Sequence, residues 1–121
     1  MEKLTQQEEE AMRAVWRTGE GSIKSFMEHF DEPPPYTTLA STVKNLEKKS
    51  YVESRLVGNT LLYAPAILEE TYKQKFLGSI VKDYFENSYK ELVSFFVEKN
   101  KISAEELREM IDLIETKPKK P

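Results

Sequence analysis

Apolar side chains recur at helical spacing through most of this chain, and the breaks fall on capping residues, glycines and prolines. Thr5-Gln6-Gln7-Glu8 is a capping-box pattern, in which Thr5 and Glu8 satisfy each other's backbone N–H groups. Ala11, Met12, Val15 and Trp16 then make the apolar face of a first helix, which stops at Gly19-Glu20-Gly21. Ser22 caps a second helix whose Ile23, Phe26, Met27 and Phe30 stand at i, i+3, i+4 and i+7. His29 lies off that stripe and reads as a surface or boundary residue, not a ligand. Asp31-Glu32-Pro33 ends the helix, because the residue before a proline is pushed out of the α region.

Pro33-Pro34-Pro35 fixes φ three times over, so the third helix cannot begin before Pro35. Leu39, Val43 and Leu46 form its narrow apolar stripe. On the opposite face Thr37, Ser41, Lys44 and Lys48 lie almost in line, with Asn45 beside them. Hydroxyls near the start of a helix followed by amide and ammonium groups suit base edges first and phosphates after.

Tyr51-Val52-Glu53-Ser54-Arg55-Leu56 and Thr60-Leu61-Leu62-Tyr63-Ala64 read as two short strands around Val57-Gly58-Asn59, where Gly-Asn supplies the positive φ values of a tight turn. Such a hairpin is barely stable alone and must lie against the helices. Three helices followed by a hairpin is the order of a winged helix-turn-helix, whose third helix enters the major groove while the hairpin reaches along the backbone. Arg55 and Asn59 are then placed for phosphate contact.

Beyond Pro65 the pattern changes. Leu68, Tyr72, Phe76, Ile80 and Tyr84 recur every four residues with Leu77, Val81 and Phe85 beside them, a face wider than a surface helix carries. Ser88 with Glu91, and Ser103 with Glu106, open two further capping boxes. The helices they start bear Leu92, Val93, Phe96 and Val97, and Leu107, Met110, Ile111 and Ile114. Lys117–Pro121 reads as a frayed polar tail. One small subunit cannot bury so much aromatic and aliphatic surface, so a second copy is expected. The expected fold is mainly α with a small β-hairpin: a winged helix-turn-helix domain over 1–65, then a helical dimerisation domain over 66–121.

Composition narrows the function. The 121 residues include no cysteine and one histidine, which excludes disulfides and thiolate metal sites and leaves no metal or cofactor expected. No Gly-rich phosphate loop, nucleophile elbow or metal-ligand spacing is present, so the chain does not read as an enzyme. Neither a membrane span nor a signal segment is evident, and a cytoplasmic location with no membrane insertion follows as the expectation. The net charge is −3. Basic residues outnumber acidic ones only over 33–67, the stretch that holds the third helix and hairpin.

With these residues in view, the chain resembles the BlaI/MecI family of bacterial transcriptional repressors, which includes the copper-responsive CopY proteins. Leu4-Thr5-x3-Glu9-x2-Met12-x3-Trp16 is similar to the family's first helix, Pro35-Tyr36-Thr37-Thr38-Leu39-x3-Val43-x2-Leu46-x-Lys48-Lys49 to its recognition helix, and Tyr63-x-Pro65 to the end of its wing. The likeness runs over roughly residues 4–115. It implies a homodimer on a palindromic double-stranded DNA operator, contacted through Tyr36, Thr37, Thr38, Ser41, Lys44, Asn45, Lys48, Arg55 and Asn59. It also implies dimer contacts through Tyr72, Phe76, Ile80, Tyr84, Leu92, Val93, Phe96, Leu107, Met110, Ile111 and Ile114. Family members answering to a membrane sensor are inactivated by proteolysis at an Asn-Phe bond. The matching bond is near Phe95-Phe96, with no asparagine, and an upstream sensor or protease is the implied partner. Ala40 and Asn45 stand where many members carry arginine, and the cysteine tail of CopY is absent. The alternative reading is a winged-helix protein-interaction module without DNA binding, as the acidic total charge would suit.

Overall fold

A computed structural model describes residues 2–117. In chain order these form α1 (Gln6–Thr18), α2 (Ile23–Met27), α3 (Tyr36–Lys48), β1 (Val52–Val57), β2 (Thr60–Pro65), α4 (Glu69–Tyr84), α5 (Tyr89–Glu98) and α6 (Ala104–Thr116). The chain divides into two compact units, the first running through Lys73 and the second starting at Gln74, with the boundary inside α4. The mainly helical fold with one antiparallel hairpin is the one that the hydrophobic pattern predicts.

In the first unit the caps act as the sequence requires. Thr5 Oγ1 accepts from the Glu8 N–H at 3.1 Å, and Glu8 Oε1 accepts from the Thr5 N–H at 2.9 Å. Ser22 caps α2 through the Ser25 N–H, but α2 stops at Met27 and not at Phe30. From Glu28 to Phe30 each N–H turns to the carbonyl three residues back, which tightens the last turn and leaves Phe30 half-buried against the core. Pro35 is the N-cap of α3 and offers no side-chain cap. At the other end Ser50 takes φ 69°, its N–H bonds Glu47 O, and the Tyr51 N–H bonds Leu46 O. That closure usually has glycine at the left-handed position.

The strands pair antiparallel from Val52↔Pro65 to Val57↔Thr60, leaving Gly58-Asn59 as a two-residue loop. Gly58 has φ 61°, whereas Asn59 does not share the positive φ expected of it. Positive φ at the first loop position alone belongs to a type II′ turn, which needs glycine only there. Met12, Val15, Phe26, Leu39, Val43, Leu46 and Val52 form the centre of the core. Ala14 joins them, and Trp16 is half-buried against the cluster.

Gly21 ties the hairpin to this core. Its N–H donates to Tyr63 O at 2.9 Å and its carbonyl accepts from the Tyr63 N–H at 2.8 Å, so the α1–α2 turn pairs with β2. A Cβ there would lie 2.4 Å from Ser25 Oγ and 2.7 Å from Thr18 Cγ2. Both side chains are held by their own hydrogen bonds, to Ser22 O and Ala14 O. Gly21→Ala should therefore cost about 1–3 kcal/mol, read as a lower urea midpoint at unchanged slope.

The first unit also takes in the start of α4, eight residues past Pro65. Ile67 is a core residue and its carbonyl accepts from Trp16 Nε1 at 3.0 Å. Tyr72 packs against Trp16 and Tyr51, with ring centroids 5.4 and 6.0 Å away, and donates to Glu9 Oε2 at 2.8 Å. Burial first and that bond second hold its hydroxyl protonated, with the pKa raised well above the ordinary value.

In the second unit Ser103 and Glu106 form a complete capping box, whereas Ser88 caps α5 without the return bond from Glu91. Among the described residues of this unit only Val81 is buried. Phe95 meets Phe85 and Phe96 edge-on, and Lys99 Nζ sits 5.7 Å from the Phe95 ring centre. No described helix is long and apolar enough to cross a membrane. Of the expected polar tail, all but Lys117 lies outside the described residues.

Candidate nucleic-acid interface

The periodicity of α3 sets up two faces. With about 100° per residue, Leu39, Thr42, Val43 and Leu46 turn inward and are buried. Thr37, Ser41, Lys44, Asn45 and Lys48 come out on the far side and are exposed. None of these five side chains makes a hydrogen bond or ion pair within the described chain. Tyr36 is 53% exposed at the start of the helix, and Thr38 is half-buried. Thr42, a buried polar residue beside the apolar stripe, is satisfied by donating to Thr38 O at 2.9 Å. Its hydroxyl hides it from a hydropathy reading.

Adjacent lysines at the end of α3 part company. Lys48 is exposed, but Lys49 turns back to Glu8 Oε1 at 2.7 Å and Lys3 O at 3.3 Å. Tyr51 Oη donates to Glu2 O at 2.6 Å, so two residues after α3 hold the segment before α1. Burial works to raise the Glu8 pKa, but the Lys49 bond and the Thr5 N–H outweigh it, and the net direction is down. A depressed carboxylate stabilises the fold above its unfolded value of about 4.3 and loses that contribution as pH falls through the folded value. In urea titrations below pH 5 the midpoint should therefore fall more steeply for the native protein than for Glu8→Gln.

On the wing Arg55 and Asn59 are both exposed. Arg55 is engaged internally: Nε donates to Glu20 Oε2 at 2.6 Å and Nη2 to Oε1 at 2.5 Å. Those bonds lower the Glu20 pKa and raise that of Arg55. Sequence reasoning missed this partner, which lies 35 residues away with no local signal. Leu56, Val57 and Leu61 are also exposed at the hairpin.

The residues assigned to partner contact divide between the units. Tyr72 lies in the first, held by Glu9 and the aromatic pair described above. In the second, Phe76, Tyr84, Phe96, Met110, Ile111 and Ile114 are exposed, whereas Ile80, Leu92, Val93 and Leu107 are half-buried. Phe95-Phe96 lies within the hydrogen-bonded helix α5.

Three helices closed by an antiparallel wing, with one helix face of polar and basic groups turned outward, define a winged helix-turn-helix. The chain matches the penicillinase repressor family model over residues 4–116, nearly its whole length, and belongs to that family. It is thereby a transcription regulator of the penicillinase-repressor type, in agreement with the BlaI/MecI resemblance. Among curated proteins it is similar to the methicillin resistance regulatory protein MecI of Staphylococcus aureus strain N315, at 20% identity over 117 residues and 95% of each chain. The Staphylococcus epidermidis MecI matches to the same extent.

Proposed function

We propose that the chain is a cytoplasmic homodimeric repressor that holds a palindromic DNA operator through α3 and the wing. The exposed row from Thr37 to Lys48 carries this reading: its side chains lack partners among the described residues, and their chemistry matches base edges and phosphates. The start of α3 adds to it. With no side-chain cap after Pro35, the first-turn N–H groups have no acceptor within the helix, and phosphate suits such an end.

The apolar surface of α4 to α6 supports a second copy as the partner. Leu77, Tyr84, Met110, Ile111, Leu113 and Ile114 are each between 42% and 78% exposed, too much for a free surface of this size. A self-complementary face makes a two-fold dimer, and two-fold symmetry in the protein calls for a palindrome in the DNA. Each bound half-site raises the effective concentration of its partner at the other. A cut at Phe95-Phe96, supplied by an upstream sensor or protease, would first have to unwind α5. It would then separate α6 from the dimer face and shift the population to monomers. Genomic footprinting of bound DNA tests the reading: a two-fold symmetric site is expected, and footprints without a shared sequence would refute it.

A further inference from the structure

The Glu20–Arg55 pair has no evident structural task. Its side chains are 35% and 64% exposed, and ion pairs that open to water contribute little to stability. The hairpin is already fixed to the α1–α2 turn by the two backbone bonds between Gly21 and Tyr63. Yet the geometry is a two-point fork, Nε and Nη2 each on its own carboxylate oxygen, which is also how a guanidinium takes a phosphate. Arg55 cannot offer those donors to both acceptors at once. While Glu20 holds it, the wing presents a neutral pair in place of a cation.

Building on the DNA-binding reading above, we infer that Glu20 is an internal competitor for the wing arginine, a carboxylate in the place of a DNA phosphate that lowers affinity for duplex DNA of any sequence. DNA must displace Glu20 before Arg55 contributes, and the displaced carboxylate then faces the phosphate backbone. The pair thus works against non-specific binding, which rests almost wholly on backbone charge. It leaves the row on α3 untouched.

The test uses the full-length protein and a random-sequence duplex, with anisotropy titrations across a salt series. Glu20→Gln should bind about three- to tenfold more tightly at low salt, with a log–log salt slope steeper by about 0.9 per bound subunit. Glu20→Gln combined with Arg55→Gln should lose that gain, while unchanged thermal melting shows that both variants fold. If Glu20→Gln binds with unchanged or weaker affinity, or if the gain survives the loss of Arg55, the inference is overturned. A native protein that binds with no salt dependence would instead refute the DNA-binding reading itself, so the two failures are distinguishable.

Discussion

Replacing Ile111 and Ile114 together by aspartate should turn the proposed dimer into a monomer and reduce operator affinity by at least about a hundredfold, some 2.7 kcal/mol. Both side chains are exposed on α6, at 51% and 73%, so an isolated chain meets the change with little strain. Across a dimer face the same carboxylates would be buried without partners, which costs several kcal/mol. Sedimentation should show the native chain as a dimer and the variant, at the same concentration, as a monomer. Its far-UV spectrum and the melting of the first unit should be unchanged. Monomers on half-sites lose the effective concentration that the second contact supplies, so operator binding falls although α3 is intact. A variant that sediments as a dimer would place the partner surface elsewhere.

The helices were legible because their caps and stripes are local: Thr5 with Glu8, Ser103 with Glu106, and Leu39, Val43 and Leu46 need only a few residues of context. The same holds for the hairpin and its Gly58 turn. What escaped is non-local. The Gly21–Tyr63 pairing joins a turn to a strand 42 residues on, as |63−21| counts it, and no pattern near either residue announces it. Nothing in the sequence near Glu20 or Lys49 announces the Arg55 and Glu8 that folding brings to them. Lys49 illustrates the physical limit well, because it sits one residue from Lys48 and the helix turns the two apart by about 100°. The i, i+3, i+4, i+7 pattern also does not contain the early end of α2, after which Phe30 still packs against the core.

The second large effect separates reading from anchoring on α3. Lys44→Ala with Lys48→Ala should weaken binding to every sequence and lower the salt slope by about 0.9 per lysine in each bound subunit. Ser41→Ala or Asn45→Ala should leave the slope unchanged and relax discrimination at particular base pairs by about 1–3 kcal/mol. The difference follows from side-chain chemistry: all four are exposed, but the lysines carry a charge on a long stem, while Ser41 and Asn45 are short and neutral. Competition titrations against single-base operator variants would separate the two classes. Equal losses of specificity from both would mean that α3 lies rotated in the groove.

The most direct test of a dimeric, DNA-holding regulator is the affinity of the full-length protein for its footprinted duplex, measured across salt with stoichiometry determined on the same samples. Two chains per site are predicted, with a log–log slope of about −3.6 or steeper from Lys44 and Lys48 of both subunits. A slope near zero, or one chain per site at saturation, would contradict it.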